Sequence, residues 1–312
     1  MTSSPAESPT ARLQELKALA TACHTAFLAV SAASHWKPGP DATDRVDAMN
    51  RVDPSTSSDG IMAGAALVSE VVVSYLEIAA GNLKSIGTLI GGGELFGPPA
   101  LARAVMENCA RVFWVLGKGI DPAAVLARAY LEEFDSCERQ KSAAKRLGGG
   151  TSAPEYGAAR ARWTSVRQRA MKAFPGATRE ALAEGAPGRT IGSDTLPSPA
   201  AGVIAMFEFL RADAGGTITG GVAEGMYDFL SSNVHPSLYT IRQLRRYIDH
   251  GDHYGSELHM DLNFIEKLLM AALITFYNAL SYTMSFYDLA RAPHDVLTEQ
   301  MAATFPEAFT GS

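Results

Sequence analysis

Arg103, Glu107 and Arg111 recur every four residues in PPALARAVMENCARVFWVLG, residues 98–117, and Trp114 follows one turn later. On a helical wheel these four side chains fall within about 80° of one another. Leu101, Val105, Val112 and Leu116 take the opposite side. An exposed Glu107–Arg111 pair contributes only some tenths of a kcal/mol, roughly 0.3–0.5, and would carry little meaning. If the stripe is buried, two guanidinium groups on one carboxylate leave surplus positive charge and unfilled donors. Either another acid, Glu70 or Glu77, takes up that charge, or an anionic small molecule does. The stripe is therefore a structural ion-pair ladder or the floor of an anion-binding site.

The second group of candidate residues lies in YDFLSSNVHP, residues 227–236. Pro236 disfavours helical geometry at His235 and marks a new helix start, which places His235 near an N-cap. The positive end of a helix disfavours imidazolium, so a neutral His235 able to accept a proton is expected. Ser232 and Asn233 add short polar groups beside it. Neither Ser231 nor Ser232 sits in a G-x-S-x-G elbow, so a serine nucleophile has no local support. In this reading His235 and Glu107 supply acid–base chemistry, while Arg103, Arg111, Trp114, Glu70, Ser232 and Asn233 bind a substrate.

Other signals are weaker. His250, His253 and His259 with nearby acids have the chemistry of metal ligands, but their spacing fits no zinc pattern, so neither a metal nor a cofactor is expected. GGGEL lacks the Lys–Ser/Thr of a phosphate-binding loop. Cys23, Cys109 and Cys137 are sparse and odd in number, which suggests reduced thiols in a cytoplasmic protein. Cys109 lies among apolar neighbours and reads as core.

The ladder helix and the Ser–Ser–Asn–Val–His–Pro turn resemble a broad, uncharacterised group of actinobacterial all-helical proteins. These show a long apolar helix, an Arg-x3-Glu-x3-Arg-x2-Trp helix and a late Tyr–Ser–His turn. The resemblance covers roughly residues 61–120 and 221–290. It is also loosely similar to the HEPN superfamily, several members of which cleave RNA with an Arg closely preceding a His. Here the nearest Arg before His235 is Arg211, so the resemblance implies the helical architecture without the RNase motif.

The elements that must position these residues read as helix after helix. Apolar periodicity marks helices at 11–34, 61–90, 98–117, 121–146, 154–173, 198–212, 221–232, 236–249, 260–291 and near 294–303. Residues 61–90 look buried nearly all round, with a narrow polar stripe of Glu70, Ser74, Glu77, Gly81 and Thr88. Residues 36–60 and 184–200 read as loops, and DHGDHYGSELH has room for a short hairpin. The expectation is an all-α bundle of about nine helices centred on the two long apolar ones. It forms one domain over 11–303, with tails at 1–10 and 304–312 and a basic helical hairpin at 121–173.

With 47% apolar and 19% charged residues the chain is globular, and its net charge of −6 argues against a surface given over wholly to nucleic acid. Residues 138–172 nevertheless hold nine Lys or Arg against two acids, a local basic segment suited to a solvated face or to RNA. The run 268–287 has no charge and is long enough to span a bilayer. Its Thr275, Asn278, Ser281, Thr283 and Ser285 fit a buried core helix better, and no membrane is expected. A homodimer that pairs the apolar helices is a further possibility.

Overall fold

The computed structural model describes residues 9–54, 62–94, 96–186, 188–234, 237–243, 245–258 and 262–306. It is overwhelmingly helical. The helices are α1 (Pro9–Ser34), α2 (Thr43–Val52), α3 (Gly64–Gly91), α4 (Pro98–Leu116), α5 (Pro122–Leu147), α6 (Pro154–Ala173), α7 (Pro199–Asp213), α8 (Gly220–Ser232), α9 (Leu238–Gln243), α10 (Leu262–Tyr287) and α11 (Ala292–Thr304). Two small antiparallel ribbons join them, β1 (Thr190–Ile191) with β2 (Asp194–Thr195), and β3 (Arg245–Asp249) with β4 (Tyr254–Leu258).

Local chemistry explains most helix starts. Proline occupies the first turn of α4, α5, α6 and α7, where its missing N–H costs nothing. Asp121 caps α5 by accepting from the Ala123 N–H at 2.8 Å, and Ser198 caps α7 by accepting from Ala201 at 3.2 Å.

The ladder helix α4 lies at the centre. It packs on α3, α10, α7, α8 and α5, and Ala102, Val105, Met106, Cys109, Val112, Val115 and Leu116 are fully buried. The long helix α3 is less enclosed than its composition suggests. Its outward face shows Glu70, Ser74, Glu77, Ile78, Lys84 and Ser85. Helix α10 is the better core helix, and its buried threonines and Asn278 bond within the helix. Thr275 and Thr283 donate to the carbonyls of Ala271 and Ala279, and Asn278 donates to Ile274. By length and composition alone α1, α3 and α10 could each cross a membrane.

Three segments depart from expectation. Part of the loop at 36–60 is structured, as a 3-10 turn (Pro40–Ala42) and α2. The loop at 184–200 contains the β1–β2 ribbon. The helix expected over 236–249 stops at Gln243, so Arg245 and Arg246 lie on a strand and not on the helix of Arg242. The reason is the turn that follows. Gly251 has φ +86°, its N–H bonds the Asp249 carboxylate at 2.8 Å, and the His250 N–H bonds the His253 carbonyl at 3.0 Å. A glycine with positive φ in a two-residue loop closes a tight hairpin. Tyr247 and Ile248 then extend as strand.

Candidate functional site

The arginine–glutamate–arginine stripe does not act as one unit. Arg103 Nε donates to Glu107 Oε1 at 2.8 Å, and Arg103 Nη2 donates to the Tyr227 hydroxyl at 3.0 Å. Tyr227 donates in turn to Glu107 Oε1 at 2.8 Å, which closes a triangle between α4 and α8. The guanidinium also lies over the Tyr227 ring, 5.0 Å from its centroid. Burial, followed by the neighbouring Glu107 carboxylate, pushes the Tyr227 phenol up and keeps it a donor.

Arg111 turns away from this triangle toward α5. Its Nη1 stands 3.4 Å from Glu132 Oε1, and the Tyr75 hydroxyl of α3 donates to Glu132 Oε2 at 2.6 Å. Glu132 is only 3% exposed. Burial raises its pKa, opposed by Arg111 and by the Tyr75 bond. The acid that takes up the ladder's second charge is thus Glu132. Glu70 and Glu77 stand on the exposed face of α3. Glu70 is held above the ordinary carboxylate range by partial burial and by Glu133.

Helix α5 carries two more such nodes. Glu133, also buried, accepts from Arg162 Nε and Nη2 of α6 at 3.1 and 2.8 Å. The Cys137 thiol lies 3.4 Å from the same oxygen, and its pKa is pushed up to about 12, chiefly by burial. One turn before Glu133, the Tyr130 hydroxyl donates to the buried Asp53 carboxylate at the end of α2. Asp53 also faces Arg169 of α6 at 3.5 Å and accepts the Gly64 N–H at 3.3 Å. Gly64 has φ +50°, and a Cβ there would meet Asn50 Oδ1 at 2.5 Å, so this junction requires glycine.

Trp114 has a structural occupation. Arg128 donates to its carbonyl at 2.6 Å, filling one of the open acceptors at the end of α4, and lies over its ring at 5.6 Å. The same Arg128 pairs with Asp194 at 2.6 Å. Ser232 and Asn233 bond the Phe229 carbonyl at 2.7 and 2.8 Å, closing the end of α8. His235 lies outside the described residues, as does His259. The structure therefore brings Arg103 and Glu107 together with Tyr227, and assigns Arg111 to a separate node.

His250 and His253 stack at 4.9 Å in the β3–β4 turn, with Asp252 at 2.6 Å from His253 Nδ1. Among the described residues no group of three metal-ligating side chains converges. The Cys23 and Cys109 thiols are buried and pushed well above the ordinary range by desolvation, which leaves them poor nucleophiles.

The basic segment is only partly a surface. Arg162 and Arg169 are committed inward to Glu133 and Asp53, while Lys141 and Arg167 lie over the Trp163 ring at 4.5 and 4.6 Å. Arg160 borders a shallow, open depression on the outer side of α6 with Thr164, Ser165 and Gln168.

The position of Glu132 and Glu133 on a buried face was readable. Val125, Ala129 and Glu132 recur at i, i+4 and i+7, and Tyr130, Glu133 and Cys137 at i, i+3 and i+7. Tyr227 gave no comparable signal, because its role depends on where α8 docks. Replacing Tyr227 with Phe removes the hydroxyl shared by Arg103 and Glu107, and a loss of about 1 kcal/mol in urea denaturation is expected. An unchanged unfolding midpoint would show that the triangle does not hold α8. No family model matches this chain, and no similar curated protein or solved structure was found.

Proposed function

We propose that this protein is a helical interaction module and that its polar ladder serves to lock α4 against α5 and α8. The observation that carries the reading is the pairing of Arg111 with buried Glu132, while Arg103 and Glu107 are closed by Tyr227. Each guanidinium of the stripe then has an acid inside the fold, and an anionic ligand is not required to balance it. Acid–base chemistry at Glu107 is disfavoured for the same reason, since its Oε1 already accepts from Arg103 and Tyr227. The reading takes the chain as a water-soluble, cytoplasmic protein. Glu70, Glu77 and Lys84 on the outward face of α3 would be costly in a bilayer.

A thermal-shift screen against phosphate, small carboxylates and nucleotides tests this against the pocket alternative. Saturating ligand at about 100 times its Kd would stabilise the fold by about 2.7 kcal/mol, a rise of several degrees. The interaction reading expects no such rise. A rise with one anion, lost in a folded Arg103→Met variant, would overturn it and restore a binding site at the ladder.

A further inference from the structure

We infer that the β3–β4 ribbon is a self-association arm, which pairs with the same ribbon of a second copy through the open edge of β3. This deepens the interaction reading above and rests on it. Among the described elements the ribbon packs chiefly on itself, and its two tyrosines are uncovered, Tyr247 at 64% exposed and Tyr254 at 75%. An isolated two-stranded ribbon is marginal in water, and a third and fourth strand would stabilise it.

The register points to the partner. Because His250 and His253 form a hydrogen-bonded pair at the turn, bonded and non-bonded positions alternate down the ribbon. Residues 245, 247 and 249 therefore aim their backbone N–H and C=O groups away from β4, toward the open edge. An antiparallel pairing of β3 with its copy, with a two-fold axis at Tyr247, matches these groups to each other. In that register Arg245 of each copy stands opposite Asp249 of the other, and Tyr247 meets Tyr247. Opposite charges directly across a strand pair are favourable, and the contact is self-complementary as a two-fold interface must be.

Alternatives fit less well. A register centred on Arg246 would set that arginine against itself and place Arg245 opposite Tyr247, with no opposite charges across the strands. The open edge of β4, centred on Ser256, offers no charge pair. Charged edge residues that normally discourage pairing thus select one register here. Antiparallel pairing also sets the two helical bodies at opposite ends of a four-stranded ribbon.

Light scattering coupled to size exclusion of the full chain, at up to about 100 µM, well above the micromolar end of interface affinities, tests the inference. A mass of two chains is expected. Arg245→Glu and Asp249→Arg should each weaken association at least about tenfold through two symmetric like-charge contacts, and the double variant should restore it. Tyr247→Pro should abolish it by removing the edge donor at the axis. Circular dichroism would verify that each variant keeps its helices. A wild-type monomer throughout the range would overturn the arm and leave the interaction module standing, since that reading falls to the anion screen instead. A dimer unaffected by these substitutions would also overturn the arm.

Discussion

Replacing Arg111 with Met is expected to lower the free energy of unfolding by about 3–5 kcal/mol, because it strands a carboxylate in the core. Glu132 is 3% exposed and would retain the Tyr75 hydroxyl and the more distant charge of Arg139. The double variant Arg111→Met/Glu132→Leu should recover most of the loss, since replacing a buried pair with apolar side chains is often neutral. The pH dependence has a definite sign. Glu132 already titrates above its unfolded value of 4.5, so the native state binds the extra proton between that value and the raised one. Stability from this group falls as pH rises through that window. Without Arg111 the window widens upward, so the deficit is greatest at neutral pH and narrows toward pH 4.5. Urea titrations followed by tryptophan fluorescence at both pH values would measure it. A deficit under about 1 kcal/mol at neutral pH would mean that Arg111 and Glu132 are not charge partners.

The stripe itself was legible from spacing alone, since four-residue periodicity puts Arg103, Glu107 and Arg111 on one side of α4. The division of its charges was not. Periodicity within one helix ranks neighbours along that helix, and it favours Glu107 to Arg111. Glu107 pairs instead with Arg103, and the remaining partners, Tyr227 and Glu132, come from α8 and α5, more than twenty residues from the arginines they meet. The acid on α5 could have been suspected, because Glu132 and Glu133 share the phase of residues that must be buried. Which arginine each would meet depends on how α4, α5 and α6 pack, and no local pattern encodes that.

Fold class was legible for a related reason. Helical periodicity and prolines at first turns are local properties, and they located α3 to α8 within a few residues. The failures were local signals of the wrong kind. Thr43–Val52 is short and polar, with Met49 its one buried residue, so periodicity could not lift it from the surrounding loop. Arg242 to Asp249 carries enough charge and apolar content to pass as helix. The deciding residue, Gly251, lies beyond it and acts by closing a turn. Apolar content also overstated the enclosure of α3, since composition records how much of a helix is apolar and not how many neighbours reach it.

The second large effect concerns a residue that no motif marked. Asp53→Ala is expected to cost about 3–5 kcal/mol, because one buried carboxylate joins four elements. It ends α2, accepts the Gly64 N–H at the start of α3, receives the Tyr130 hydroxyl from α5, and faces Arg169 of α6. Truncation deprives the fully buried Tyr130 hydroxyl of this acceptor and removes the carboxylate that faces Arg169. Most of the cost then comes from the desolvated groups left behind, beyond the hydrogen bonds that are broken. Asp53→Asn separates the two contributions. Its amide oxygen can still accept from Tyr130 or Gly64, but it carries no charge for Arg169, so about half the loss should remain. A double-mutant cycle with Tyr130→Phe isolates the hydroxyl bond. Coupling of about 1 kcal/mol or more is expected, because the two groups touch and share a desolvated site. Additive losses would mean that Tyr130 and Asp53 contribute independently, and a total under about 1 kcal/mol for Asp53→Ala would remove Asp53 as the junction between the α2–α3 and α5–α6 pairs.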